Sequence, residues 1–177
     1  MSSGVSRRLH FVDDVEQEDI VVSSSSPVPG VLARSPVATR LPAQDLARAR
    51  RFYADKLGLE PVEQREGGLR YECGGVAFAL FESSGKPSGA HTQMGWEVDD
   101  IDTAVEELRA RGVVLEEYDM PGLRTVNGIA EIEGNYPSKG VGERGVWFYD
   151  SEGNLLGVGQ PVAAPSPCPP TRPPRGP

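Results

Sequence analysis

The sequence predicts an α+β domain of two βαβββ modules, whose strands form a curled mixed sheet around a concave ligand cavity. Three observations predict it. Two amphipathic helical stretches each follow a short strand pattern. Each stretch opens on an aspartate and stops at a glycine. Runs of strand-forming residues, punctuated by glycines, follow each helix.

Val37-Ala-Thr-Arg-Leu41 reads as the opening strand. Asp45 then caps a helix whose apolar positions Leu46, Ala49, Phe52, Tyr53 and Leu57 recur at spacings of three and four. Gly58 supplies its left-handed stop. Pro61–Arg65, Leu69–Cys73 and Val76–Phe81 read as strands separated by the glycine pairs 67–68 and 74–75. The order then recurs. Gln93–Val98 is a strand, Asp99 or Asp100 a cap, and Ile101, Ala104, Val105 and Leu108 an apolar helix face ended by Gly112. Val113–Tyr118 is expected as the next strand. Residues 119–145 read as a long glycine-rich loop, either a lid over a site or a surface excursion, with Glu131, Glu133 and Glu143 as acid or base candidates. Val146–Tyr149 and Leu155–Val158 close the module around the turn Asp150–Asn154.

The shift from Asp45 to Asp100 is 55 residues, and it carries Leu46 onto Ile101 and Ala49 onto Ala104. This is an internal duplication, with module one at about 36–90 and module two at about 91–161. Each module buries the helix-bearing face of its strands and leaves the other face free for a ligand.

Residues 1–35 read as a disordered leader, serine-rich and short of apolar periodicity, with Ile20-Val21-Val22 its one candidate edge strand. Residues 162–177 read as a proline-rich disordered tail. The formal charge is −8, from 26 acidic and 18 basic residues. Such a chain gains little from a phosphate backbone or an anionic membrane, so neither is expected as a partner. No apolar run approaches the roughly 20 residues that span a bilayer. Cys73 and Cys168 form no disulfide framework, and no apolar signal region follows Arg7 and Arg8, so a cytoplasmic location is expected. Cys73, with nothing basic beside it, reads as a small hydrophobe. The sequence shows no phosphate-binding loop, dinucleotide fingerprint, nucleophile elbow or HExxH motif, and His91 is the one histidine of the domain.

The segments Leu41-Pro-Ala-Gln-Asp-Leu46, Arg51-Phe-Tyr53 with Leu57-Gly58, Trp96-Glu-Val-Asp-Asp-Ile101 and Trp147-Phe-Tyr-Asp-Ser-Glu-Gly-Asn154 resemble the vicinal oxygen chelate superfamily. That superfamily includes glyoxalase I, bleomycin-resistance proteins and extradiol dioxygenases. The resemblance covers residues 36–161, and it implies the fold without naming the chemistry. Its enzymes hold a divalent metal with His, Gln and Glu. The corresponding positions here are Ala38, Gln93, Gly157 and, in the first half, about Ala79. Alanine and glycine offer no side-chain ligand, so no metal and no other cofactor is expected. The resemblance also implies a homodimer.

By the same resemblance, the face of Ala38 and Gln93 is the concave one. Strand alternation then brings Arg40, Glu97 and Leu155 to it, and turns Trp147 and Tyr149 towards the cavity. Leu41, Met94, Trp96 and Val98 fall on the helix side. Arg40, Gln93, Glu97, Trp147 and Tyr149 are therefore the expected ligand-binding residues, a mostly apolar cup with a few polar groups. A cross-strand salt bridge between Arg40 and Glu97 is the alternative for those two. The expected function is metal-free binding or sequestration of an aromatic or amphipathic small molecule. The alternatives are a metal-independent isomerase or epimerase, using Glu97, His91, Glu143 or Tyr149, and a metal-dependent glyoxalase-like lyase.

Overall fold

Asp45 and Asp100 set the two helices of the domain. Each sits in extended backbone, with φ near −140°, and turns its carboxylate onto the first free N–H groups of the helix. Asp45 accepts from Arg48 at 2.9 Å, and Asp100 accepts from Asp102 at 3.0 Å and Thr103 at 3.3 Å. Caps of this kind stabilise a helix by about 1 kcal/mol. Helix α1 spans Leu46–Leu57 and ends at Gly58, φ 69°; α2 spans Ile101–Ala110, with Gly112 just beyond it at φ 75°. Both expected caps and both glycine stops are present.

The structure, a computed structural model, describes residues 31–165. A 3-10 turn at Val31–Arg34 belongs to a unit that ends at Pro36, and the domain starts at Val37. The expectations for the leader, for Ile20–Val22 and for the proline-rich tail beyond residue 165 lie outside the described residues. Among the described residues no helix is long and apolar enough to cross a membrane.

The first module contributes β1 (Thr39–Ala43), β2 (Glu63–Arg65), β3 (Gly68–Cys73) and β4 (Val76–Glu82), in the order β1-β4-β3-β2. The second contributes β5 (Thr92–Glu97), β6 (Asp119–Met120), β7 (Leu123–Val126), β8 (Ile129–Glu133), β9 (Gly142–Tyr149) and β10 (Leu155–Val162), in the order β5-β10-β9-β8-β7-β6. In each module the opening strand pairs parallel with the last strand, after a helical crossover, and the other pairs are antiparallel. The duplication expected from the 55-residue shift is thus a duplication of topology. The strands form two mixed sheets, one of four strands and one of six, that are not hydrogen-bonded to each other.

Leu41, Tyr53, Tyr71, Phe78, Leu80, Ile101, Phe148 and Leu156 lie in one core cluster drawn from both modules. Tyr71 stacks on Phe78 with ring centroids 5.0 Å apart, and Phe78 meets Trp96 of the other module edge-on at 6.3 Å. Trp96 is a core-side residue, as strand parity requires. The helices also exchange cations. Lys56 and Arg111 are equivalent under the 55-residue shift. A Cβ placed on Gly112 would lie 2.7 Å from the Lys56 Nζ, and one on Gly58 would lie 3.1 Å from the Arg111 guanidinium. Each helix therefore ends against the terminal cation of the other, the charge its dipole favours.

The turn Asp150–Asn154 locks the modules together. Asp150 accepts the backbone N–H groups of Glu152 and Asn154 at 2.8 and 2.9 Å. The Tyr53 hydroxyl donates to Asp150 at 3.2 Å, and the Asn154 amide donates to the Pro42 carbonyl at 3.0 Å. Burial, then the Asp150 charge, pushes the Tyr53 phenol well above its ordinary range. Glu152 accepts the N–H groups of Gln44 and Asp45 at 2.8 and 3.1 Å.

Two expectations for the second module are corrected. Val113–Tyr118 is not a strand. Its Val113 is buried, but its backbone bonds to the sheet are two isolated ones, the Glu116 N–H to the Trp147 carbonyl at 2.7 Å and the Thr125 N–H to the Tyr118 carbonyl at 2.9 Å, and β8 occupies the preceding edge of β9 from Gly142 to Gly145. Residues 119–145 are not a long loop. Asn127 and Gly128 take φ values of 53° and 77° and join β7 to β8 as a two-residue hairpin, which extends the second sheet by three short strands. What stays irregular is the connection 134–141 between β8 and β9.

Candidate functional site

The second sheet keeps one face for the core and leaves the other open. Val146, Phe148, Leu156 and Val158 point to the core. The alternate residues on the open face are small: Gly145 on β9, Gly157 and Gly159 on β10, and Gly95 on β5, with Gly157 in register with Gly95 and Gly159 with Gly145. Glycine inside a strand marks a place where something approaches the backbone closely. Here that something is partly the Trp147 indole. A Cβ on Gly145 would lie 3.1 Å from one edge of the ring, and a Cβ on Gly157 would lie 3.5 Å from the other. The indole therefore lies low across the glycines. Its N–H donates to the Thr92 hydroxyl at 3.0 Å, and Tyr118 meets it edge-on at 5.6 Å.

Above this floor is a cavity of about 410 Å³. Glu97, Lys139, Glu143, Tyr136 and Trp147 supply its functional groups. Lys139 reaches from the β8–β9 connection to Glu97 on β5, at 2.7 Å, and so closes one end. The connection is anchored by the Val141 N–H to the Val162 carbonyl, 2.8 Å. The Glu143 carboxylate leans over Gly159, where a Cβ would collide with it. Among the described residues Glu143 has no ion-pair partner.

Of the five expected ligand-binding residues, the structure places Glu97 and Trp147 in this cavity. Gln93 sits on β5 beside an irregularity in the β5–β10 register, half-buried, with its Oε1 enclosed and without a hydrogen-bond partner. Tyr149 is partly exposed outside the cavity lining, and its hydroxyl donates to the Gly89 carbonyl at 2.8 Å. Arg40 lies on the other sheet, in register with Ala79. The alternative Arg40–Glu97 salt bridge does not form: the two residues stand on different sheets, and Glu97 pairs with Lys139. Leu155, expected on the open face, is buried. His91 is exposed, 3.3 Å from the Ser88 hydroxyl, and does not line the cavity. Sequence reading missed Lys139, Tyr136 and Thr92. The Asn127–Gly128 dipeptide is the signal that turns the supposed loop into sheet and brings 134–141 back over the site.

A second hollow, about 580 Å³, lies between α2 and the β7–β8 hairpin. Two of its cations are engaged: Arg144 is held by Asp102 at 2.7 Å, and Arg109 donates to the Asn127 carbonyl at 2.7 Å.

The profile of the Glyoxalase/Bleomycin resistance protein/Dioxygenase superfamily matches residues 35–158. The chain belongs to that superfamily. Solved structures share its fold at low identity. A glyoxalase/bleomycin resistance protein/dioxygenase from Alicyclobacillus acidocaldarius is 16% identical, covers 72% of this chain and 91% of its own, and has a TM-score of 0.55. One from Nocardioides is 24% identical, with 76% and 87% covered and a TM-score of 0.52. A virulence protein from Salmonella typhimurium is 19% identical, with 72% and 97% covered and a TM-score of 0.51. No curated protein matches the chain.

Membership in the superfamily raises the question of a divalent ion. The positions implied for it carry Ala38, Ala79, Gln93 and Gly157. Ala38 precedes β1, and Ala79 is flanked in register by Arg40 and Arg70, whose charge repels a cation. A side chain at Gly157 would start 3.3 Å from the Thr92 methyl and 3.5 Å from the indole. Gln93 offers one neutral oxygen. Among the described residues no three His, Cys, Asp or Glu side chains converge. This donor set does not fit the ion, which needs three or more nitrogen or oxygen ligands from the protein.

Proposed function

We propose that the cavity of the second sheet binds a small, flat, largely apolar molecule without a bound metal, and that the protein sequesters it. The observation that carries this reading is the Trp147 indole laid over the glycines of β9 and β10, beside the polar trio Glu97, Lys139 and Glu143. An aromatic surface on bare backbone accepts a flat ring at short range, and a few convergent polar groups fix its orientation. The volume is in the range of small-molecule sites. Gln93 and Tyr149 lie beside the cavity and belong to this proposal as neighbours of the bound molecule. Arg40 stands on the other sheet and is not part of this cavity.

The test is a panel of flat aromatic compounds added to the full chain carrying W96F, so that Trp147 is the one fluorophore of its kind. Quenching of Trp147 together with a raised melting temperature is the expected result. A panel that leaves both unchanged on folded protein overturns the reading. Elemental analysis belongs to the same experiment: stoichiometric Zn, Mn, Ni or Fe after gentle purification overturns its metal-free part. The proposal extends to a homodimer, checked by light scattering of the eluted protein.

One observation favours a second reading. Glu97 stands beside an ammonium donor and Glu143 stands free, which is the acid–base pairing an isomerase or epimerase needs. Turnover that is lost in E143Q while ligand binding persists would establish it.

A further inference from the structure

The first sheet has an open face of its own, and its chemistry is the reverse of the second's. Leu69, Tyr71, Phe78, Leu80, Leu41 and Ala43 are buried on the α1 side. The register of the four strands places the alternate residues in two rows across the other face. One row reads Arg40, Ala79, Arg70, Glu63; the next reads Pro42, Phe81, Gly68, Arg65. Three guanidiniums and one aromatic ring therefore surround two small residues. Together they line a groove of about 210 Å³.

The small residues make the groove. Ala79 separates Arg40 from Arg70 by two strand spacings, roughly 10 Å, which two leaning arginine side chains readily close upon an occupant. Gly68 lets Arg65 lie across it, since a Cβ there would be 3.3 Å from the Arg65 Nε. Among the described residues Arg40 has no ion pair, and Arg65 only donates to the Glu66 carbonyl at 3.3 Å. Arg70 is shared between Glu63 at 3.2 Å and Glu72 at 3.7 Å, both exposed. Such long, solvated pairs give way at little cost. The cluster stands out on a chain whose formal charge is −8.

We propose that this groove binds a small phosphate monoester. Three guanidiniums exceed what one carboxylate can use. A phosphate monoester carries close to two negative charges and three acceptor oxygens, and the planar fork of arginine matches it. Phe81, in the adjoining row, offers its ring to the organic part of the ligand. The groove's size admits one ring and one phosphate. This site lies on a different sheet from the Trp147 cavity, so either can fail without the other.

The probe is phenyl phosphate, titrated into the full chain by calorimetry, with inorganic phosphate and benzoate as parallel arms. Binding of phenyl phosphate in the micromolar to low millimolar range is expected, with inorganic phosphate weaker. R40Q and R65Q are each expected to weaken it about tenfold, with R40K recovering part of the loss. Both positions are exposed, and unchanged melting temperatures confirm that the variants fold. Should a variant not fold, amide shifts in the wild-type chain decide instead. Phenyl phosphate is expected to move the Ala79 and Gly68 signals. No binding at tens of millimolar, equal binding of benzoate, undiminished affinity in R40Q and R65Q, or shifts that avoid both residues would each overturn the proposal.

Discussion

The Arg48 guanidinium grips both oxygens of the Glu152 carboxylate, at 2.8 and 2.9 Å, across 104 positions of sequence. Glu152 is buried, while Arg48 is half exposed. The same carboxylate takes the N–H groups of Gln44 and Asp45 at the start of α1. One side chain of the second module thus finishes the first helix of the first. E152A leaves those donors and the guanidinium without their acceptor. Its expected cost is about 2–4 kcal/mol, read by urea denaturation. Loss of less than half a kilocalorie would show that the contact is ornamental.

Stability should also depend on acid through this residue. Burial alone would raise the Glu152 carboxyl, but Arg48, the Asp45 N–H, Ser151 and the Gln44 N–H together hold it at about 2, below the ordinary 4.5. A depressed folded-state value contributes stability above the unfolded value and loses it as pH falls. The window therefore runs from about 4.5 down to about 2. The contribution is roughly 2–3 kcal/mol once solvent around Arg48 is allowed for. Melting temperature against pH should fall more steeply across that window for the native chain than for E152Q.

The hairpin that replaced the expected loop gives a third prediction. Gly128 has φ 77°, and a Cβ there would stand 2.9 Å from the Leu115 Cδ1. G128A should cost about 1–3 kcal/mol, from strain and overlap together. N127A should cost less, since Asn127 at φ 53° meets only the backbone penalty. Equal effects of the two substitutions would contradict the crowding at Leu115.

At the cavity, G157A tests the glycine floor. The added methyl would press on Thr92 and on the indole. The expected result is a shifted Trp147 emission and at least about tenfold weaker ligand binding, with little change in fold, since two or three tenths of an ångström decide whether the ring stays down. An unchanged spectrum would mean that the indole does not rest on β10.

Much of this was legible in the chain because it is written locally. Asp45 and Asp100 cap helices by rules that involve three or four residues, and Gly58 and Gly112 stop them in the same way. The fold class and the duplication follow from those signals and from the periodic apolar faces. The faces of Leu41, Trp96 and Trp147 followed from strand parity once the resemblance had named the concave side. Register against a partner strand is a different matter. Whether Val113–Tyr118 joins β9 depends on β8 arriving first, and no feature of the segment itself reports that. Lys139 was invisible for the same reason: its position beside Glu97 is fixed by a hairpin and a strap that lie between them in space. Arg40 and Glu97 share a parity but stand on different sheets, which parity cannot tell.

The exchange of helix ends has a consequence for the order of events during synthesis. Lys56 waits for Gly112, and Gln44 waits for Glu152, which is 108 residues further on. A nascent chain that has released only its first module holds α1 with its own Asp45 cap and Gly58 stop, but without Glu152 at one end and Arg111 at the other. The first module is therefore expected to stay open on the ribosome until the turn at Asp150 has emerged. The late closure of such distant contacts makes the domain a slow folder for its length. Duplication produced two halves that resemble each other, and the exchange of their ends made each half the other's folding partner.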